Sequence, residues 1–353
     1  MGVGSATTLD TLLASPAPVL ALAPMQDVTD LPFWQLMTRY GGADLYYTEY
    51  FRVYSASRLD KPILESIIKN PTGRPVIAQM IGNDIPSLVR SAQELQRLPI
   101  AAIDLNLGCP APVVYRKCAG GGLLRDLPRI DSILGALRDA ISGKFTVKTR
   151  LGFDSAETVE ALLPLFRKHA IDLLTVHGRT VLQMYRGGIR HDLIRQAAEC
   201  LECPVLANGN VSTPGDAEAV LKETGARGLM IGRGAVRNPW IFSQIHDHLS
   251  RRPVKLPTGR EMLAYIYDLY ETVCDPDITG SKGVQRIKKY ANFIGEGINP
   301  EFLHAVRRVG TKEDFFTLCR EHLDHGNPMT LDPKIIGNSG NETEWRQYNL
   351  IKE

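Results

Sequence analysis

The sequence predicts an α/β chain: a (β/α)8 TIM barrel followed by a small all-helical domain. Three observations predict it. Eight short β-rich runs alternate with amphipathic or turn-rich segments between residues 19 and 231. A polar or special residue ends nearly every run, namely Met25, Glu49, Gln79, Asn106, Lys148, His177, Asn208 and Gly232. In a closed barrel those ends share one rim, whereas a doubly wound sheet gathers its site at one switch point. After about residue 245 the β-runs stop and helical spacing takes over.

The strands are expected at 19–23, 45–48, 76–80, 102–107, 145–149, 173–176, 204–207 and 228–231. Helical patterns lie between them at 87–98, 129–141, 156–169 and 215–224. Residues 251–257 read as a linker. Met262, Leu263, Ile266, Leu269, Tyr270 and Val273 then recur at helical spacing over 261–274, as do Val284, Ile287, Ala291 and Ile294 over 282–294. Residues 300–308 and 312–323 complete the helices. The expected division is a catalytic barrel over 1–250, a helical domain over 251–326 and an irregular, turn-rich tail over 327–353.

Composition narrows the class. The chain has 353 residues, 44% hydrophobic and 23% charged, which excludes a disordered, collagenous or disulfide-framed protein. A formal charge of +2 gives no global field for polyanions, so any basic surface is local. Of six cysteines only Cys200 and Cys203 are spaced Cys-x-x-Cys, with no second pair to complete a zinc site, so no metal is expected. Sparse cysteine suits a reducing compartment. The apolar N-terminus is broken by Pro16, Pro18 and Pro24 and has no Lys or Arg before Arg39, unlike a secretory signal. Gly2 lacks the Ser or Thr at position 6 that myristoylation wants, and no apolar run approaches the ~18 residues of a membrane span. The expectation is a soluble cytoplasmic chain, monomeric and without a membrane partner.

The chemistry lies at the strand ends. In Asn106-Leu107-Gly108-Cys109-Pro110 the Gly and Pro enforce a turn that exposes Cys109 as a nucleophile, redox thiol or proton donor; a buried small hydrophobe is the alternative. Asn106 is a costly interior polar residue unless it binds something. Lys148 and Arg150 alternate onto one face, where a rim ammonium needs an anionic partner. His177-Gly178-Arg179 adds a second cation-capable pair. Asn208-Gly209-Asn210 and Gly232-Arg233-Gly234 end the last two strands, the recurrent phosphate site of such barrels. Position 237 is Arg, so this Gly-x-Gly string is no Rossmann finger. Together the residues describe a phosphate-bearing cofactor across the rim, in a flavin or phosphosugar enzyme.

The ordered string of motifs resembles the tRNA-dihydrouridine synthase family. The pieces are Ala23-Pro24-Met25, Gln79-Met80-Ile81-Gly82, Asn106-Leu107-Gly108-Cys109-Pro110, Ala119-Gly120-Gly121-Gly122-Leu123-Leu124 and Val147-Lys148-Thr149-Arg150-Leu151-Gly152. They continue through Val176-His177-Gly178-Arg179-Thr180, Ala207-Asn208-Gly209-Asn210 and Met230-Ile231-Gly232-Arg233-Gly234-Ala235. The resemblance implies an FMN-dependent oxidoreductase that reduces the uracil 5,6 double bond in tRNA, with NADPH as reductant. It implies FMN binding by Ala23, Pro24, Met25, Gln79, Lys148, His177, Asn208, Gly209, Asn210, Gly232 and Arg233. It implies Cys109 as the catalytic proton donor, a role that suits a thiol of near-neutral pKa able to give and regain a proton, and Asn106 and Arg150 are placed to hold the uracil edge. Thr48-Glu49-Tyr50-Phe51-Arg52-Val53 and Arg286-Ile287-Lys288-Lys289 resemble the bacterial C-type branch, which acts at position 16, whereas Asn210 departs from that branch's acidic residue.

Charge along the chain bears on the RNA partner. Lys282, Arg286 and Lys289 fall on one helical face, and residues 279–310 hold six Lys/Arg against two Glu. Arg116 and Lys117 on the loop after Cys109, with Tyr115 and Tyr185, are candidates to grip phosphate or stack a base. Two other functions compete: an FMN-dependent dihydroorotate or dihydropyrimidine dehydrogenase acting on free pyrimidines, and a non-catalytic RNA-binding barrel.

Overall fold

In the computed structural model of the chain, residues 8–274 and 281–334 are described. Two compact units are seen: residues 1–235 with 239–253, and residues 236–238 with 254–353. The tail expectation for 327–353 lies largely outside the described residues.

The first unit is a closed parallel barrel. Its strands are β1 (Val19–Leu22), β2 (Leu45–Tyr47), β3 (Phe51–Val53), β4 (Val76–Gly82), β5 (Ala102–Leu107), β6 (Phe145–Arg150), β7 (Leu173–His177), β8 (Val205–Asn208) and β9 (Gly228–Ile231). The order β2-β1-β9-β8-β7-β6-β5-β4-β3 closes through an added β2–β4 pairing, and every ladder is parallel. One stave is broken: β2 pairs the first half of β4 and β3 the second half. At the break the Thr48 hydroxyl accepts from Gln79 N at 3.0 Å, standing in for a ladder bond. A single run was expected at 45–48. The interruption turns Glu49 and Tyr50 onto the rim.

Interior-facing residues grade from apolar to polar along the strands. Val19, Leu45, Ile77, Ala102, Leu173, Leu206 and Met230 form a buried cluster with Leu9. Leu9 belongs to the helix Leu9–Ala14, whose start is fixed by a Thr8/Thr11 capping box. Arg227 latches this segment, donating to Leu13 O and Ala17 O at 2.8 Å, to Leu12 O at 3.0 Å, and to Ser15 O.

The outer helices start on a recurrent Asp-x-Pro pattern. Asp30, Asp60, Asp84 and Asp126 each cap a helix with proline in its first turn. The helices Ile85–Leu95 and Leu127–Ala140 therefore begin two residues before the expected 87 and 129, and Pro214–Thr224, capped by Thr213, begins one before the expected 215. Proline breaks a helix interior but suits its first turn, where the missing N–H has no intrahelical partner.

The second unit contains the helices Gly259–Val273, Ser281–Gly295, Pro300–Val306 and Lys312–Leu323. Met262, Ile266, Leu269, Val284, Ile287, Phe302, Phe315 and Leu323 bury their apolar faces. Arg237 forms a buried ion pair with Glu296 and donates to Phe293 O at 3.1 Å. No helix among the described residues is long and apolar enough to cross a membrane.

Candidate active site

Register places the polar interior residues side by side. Gln79 on β4 lies beside Asp104 on β5, Asp104 beside Thr146 on β6, and Asn106 beside Lys148. A buried hydrogen-bond chain follows. Thr146 Oγ1 donates to Asp104 Oδ1 at 2.6 Å, and Gln79 Nε2 donates to Asp104 Oδ2 at 2.8 Å. Asn106 Nδ2 donates to Gln79 Oε1 at 2.8 Å, while Asn106 Oδ1 accepts from Gly108 N at 3.0 Å and Cys109 N at 2.9 Å. A side-chain oxygen bonded to backbone N–H groups just ahead is how Asn builds a turn. It sets the half-buried Cys109 at the rim, and Cys109 O accepts from Gly121 N at 3.2 Å.

The environment decides the protonation states. Burial pushes the Cys109 thiol up, only partly opposed by the Ala111 N–H, the Tyr50 hydroxyl, Lys148 and Arg150. The expectation of a thiol pKa near neutral is therefore corrected: the thiol is held protonated. Burial pushes the Asp104 carboxyl up to about 6, against the bonds from Thr146 and Gln79. Burial, then Arg150, pulls the Lys148 ammonium down to about 8, with Asp104 opposing. Burial and the surrounding Arg150, Lys148, Arg179 and Arg233 hold His177 well below its ordinary value, so it is neutral.

The loop after β7 is tied down by two buried arginines. Arg150 donates to Gly108 O at 3.0 Å, Thr180 O at 2.8 Å and Met184 O at 2.6 Å. Expected to face a ligand, it braces two loops, at only 2% exposure. Arg179 donates to Gly187 O at 2.7 Å and Arg186 O at 2.9 Å. The loop thus presents Tyr185, 48% exposed, between Arg150 and Arg233 at 5.6 and 5.2 Å from its ring. Tyr115 instead packs edge-on against Phe153 at 5.5 Å.

The remaining expected rim residues fall on the ends of β1, β8 and β9. Ala23 N donates to Ile231 O at 2.9 Å, Met25 N to Thr29 Oγ1 at 2.8 Å, and Asn208 Nδ2 to Met230 O at 2.8 Å. Pro24 lies between the first two. Gly209 has φ +134°, a backbone conformation that side chains rarely adopt, so a larger residue there is strained. At Gly232 a Cβ would stand 3.2 Å from Met25 Sδ, which keeps the β1 and β9 loops close. Lys282, Arg286 and Lys289 share the helix Ser281–Gly295 of the second unit. Arg286 is half-buried and Lys289 exposed; the Lys282 side chain lies outside the described residues.

The donor set suits a flavin mononucleotide: an ammonium for an electron-rich ring edge, carboxamides for ring hydrogen bonds and guanidiniums for a phosphate. Among the described residues the Gln26 side-chain oxygen, on the β1 loop, is buried without a hydrogen-bond partner, as a ligand-binding group would be. The sequence reading missed Asp104 and Thr146. Asp104 stands two residues before Asn106 in one strand, so period-two alternation carried the signal. Glu49, expected at a strand end, accepts from Asp27 N and is pushed up to about 7 by burial.

The chain matches the dihydrouridine synthase (Dus) family over residues 21–322. It is similar to the probable tRNA-dihydrouridine synthase of Rickettsia conorii, 32% identical over 295 residues, 81% of this chain and 88% of the relative. It is also similar to tRNA-dihydrouridine synthase B of Vibrio parahaemolyticus, 35% identical over 265 residues, 71% of this chain and 80% of the relative. The Vibrio and Pseudomonas relatives carry the letter B in their names, and the Rickettsia relatives carry no letter. Of the residues behind the C-type expectation, 48–53 lie at the broken stave and 286–289 within the helix Ser281–Gly295. Among solved structures, 6-hydroxypseudooxynicotine amine oxidase from Pseudomonas geniculata N1 aligns with a TM-score of 0.50 at 11% identity, covering 69% of this chain and 50% of that chain. That likeness concerns the fold alone.

Proposed function

Because the chain belongs to the dihydrouridine synthase family, we propose that it is an oxidoreductase converting uridine to dihydrouridine in tRNA, with FMN as its resident cofactor and NADPH as reductant. The observation that carries the mechanism is the Asn106 turn, which holds a protonated Cys109 thiol at the rim beside Lys148. A flavin held here would, when reduced, provide the hydride that C6 of the uracil takes up. Cys109 holds on Sγ the proton that C5 needs on the same encounter, and regains it from solvent afterwards. Lys148 would supply positive charge to a bound flavin, and neutral His177 would add a hydrogen bond without further charge. Ala23, Pro24, Met25 and Gln79, with Asn208, Gly209, Asn210, Gly232 and Arg233, would hold the flavin and its phosphate.

On the substrate side Asn106 offers its remaining amide hydrogen to the uracil edge, and Arg150 acts by holding the loops that frame it. Tyr185 supplies an aromatic face for a base taken out of its stack. Lys282, Arg286 and Lys289 on the helical unit supply phosphate contacts. The enzyme so described is a monomer of the cytoplasm whose macromolecular partner is tRNA.

The test assays NADPH oxidation and dihydrouridine formation with unmodified tRNA, free uracil and orotate. Cys109→Ala is expected to keep the yellow cofactor and NADPH oxidation and to lose tRNA reduction. Normal dihydrouridine formation by that variant overturns Cys109 as the acid; activity on free pyrimidine alone overturns the tRNA substrate.

A further inference from the structure

Asp104 is the one fully buried carboxyl among the described residues, and the proton transfer assigned to Cys109 makes no use of it. It lies on the inner face of the barrel, one layer below the rim. The β5–β6 register sets Asp104 beside Thr146 and Asn106 beside Lys148, so Lys148 is its diagonal neighbour on the rim side. Neutral donors hold both carboxyl oxygens, Thr146 Oγ1 at 2.6 Å and Gln79 Nε2 at 2.8 Å. Tyr47 on β2 also feels its charge, and burial keeps that hydroxyl neutral. Lys148 is the cation that acts on Asp104, and Arg150 and Cys109 are the other titratable groups that act on Lys148. The carboxyl therefore has two states of different consequence for Lys148. Ionised, it offsets the ammonium; protonated, it leaves the ammonium charge whole.

We propose that Asp104 is a positioning residue that acts through Lys148: it takes up a proton when flavin at the rim is reduced and releases it on reoxidation, so the reduced ring alone meets the whole ammonium charge. This rests on the assignment of the rim as an FMN site and adds the charge control beneath it. Hydride from NADPH brings two electrons and one proton to the ring and leaves NADP+, so the ring gains one negative charge. A proton from solvent joins the Asp104 carboxylate in the same equilibrium, and the site gains no net charge. When the hydride passes to uracil C6 the ring loses that charge and Asp104 returns its proton to solvent, while C5 takes the separate proton held on Cys109 Sγ. An uncompensated charge in a low-dielectric interior is costly, which couples the two events. Burial already raises the carboxyl to about 6, close enough to neutral pH for one added negative charge to bring it across.

The experiment measures the equilibrium reduction potential of FMN bound to full-length wild type, Asp104→Asn and Thr146→Val from pH 5 to 9, by reductive titration against reference dyes. Asparagine keeps the shape: its oxygen can accept from Gln79, and the Thr146 hydroxyl can turn to accept from its amide. The wild-type and Asp104→Asn potentials are expected to coincide at pH 5, where the carboxyl is protonated in both flavin states. They separate as pH rises. At pH 8 Asp104→Asn is expected to favour reduced over oxidised flavin by about tenfold more than wild type, about 30 mV. Thr146→Val removes a hydrogen bond that favours the ionised carboxyl, so its profile should depart from that of Asp104→Asn about one pH unit higher than wild type does. No difference between wild type and Asp104→Asn, or one that is constant with pH, overturns the proposal and leaves the flavin assignment standing. If Asp104→Asn takes up no flavin, Thr146→Val decides, and a wild-type profile in that variant overturns the proposal. A wild type that binds no FMN overturns the flavin assignment, and the proposal with it.

Discussion

Replacing Asn106 by alanine removes three hydrogen bonds from one buried position: the donation to Gln79 Oε1 at 2.8 Å and the acceptances from Gly108 N at 3.0 Å and Cys109 N at 2.9 Å. Alanine fits the strand, so the loss is one of polar satisfaction rather than shape. Gln79 is fully buried and keeps its bond to Asp104, but its oxygen loses its donor. Each buried group left unsatisfied costs about 1–3 kcal/mol, and the half-exposed Cys109 N–H costs less because water can reach it. The total is about 3–5 kcal/mol, enough to lower the melting temperature of a barrel this size by roughly 10 °C. The local effect is separable. A loosened turn releases the thiol from the burial that raises its pKa, so Cys109 should be alkylated faster by iodoacetamide at pH 8. Urea and thermal unfolding measure the first effect, and peptide mass mapping of carbamidomethylated Cys109 measures the second. If Asn106→Ala melts within about 1 °C of wild type and Cys109 reacts at the wild-type rate, the hydrogen-bond chain does not set the turn.

Three further outcomes follow from the same geometry. Burial raises the Asp104 carboxyl to about 6, so the folded state holds that proton more tightly than the unfolded chain. Its stabilising contribution is complete below the unfolded carboxylate pKa and is lost as pH rises through about 6, on the order of 3 kcal/mol. Asp104→Asn should flatten that part of the stability–pH curve, read by urea midpoints from pH 4 to 7. Lys148 is pulled down to about 8 and so loses its charge as pH rises through that value. Flavin affinity should fall by about three- to tenfold between pH 7 and 9, and Lys148→Met should bind more weakly with that dependence gone; a variant that keeps the wild-type profile refutes the role. Arg227→Ala removes all four latch bonds to the N-terminal segment. It should cost about 2–4 kcal/mol and speed proteolytic nicking before β1, and wild-type resistance to protease would show that Leu9 packing alone holds the segment.

The barrel was legible because its signals are local. Each inner strand is a short apolar run, and parallel strands must be joined by crossovers, so their number and spacing already imply closure. Most residues that form the rim were legible for the same reason, since a polar side chain at the end of an apolar strand interrupts an otherwise uniform pattern. Asp104 was available to the same logic but was absorbed into the strand as a neighbour of Asn106. The broken stave was not legible: Thr48-Glu49-Tyr50 reads as a strand ending, and only the Gln79 N–H that it meets on β4 shows the run resuming.

What the sequence determined by itself was the set of elements, the polar identity of the rim and the motif order that leads to the family. Tertiary structure decided what each polar group faces. Arg150 and Lys148 are two residues apart on one strand face, yet one is spent on loop carbonyls while the other has Asp104 as its opposing charge. Asn210 and Arg179 come from different strand ends and meet only after closure. Burial and partnership are properties of pairs brought together across the barrel, and they set the proton on Cys109 and the charge on Lys148. A linear pattern can name the residues at the rim, but their protonation depends on desolvation and neighbouring charge, which exist only once the strands have closed.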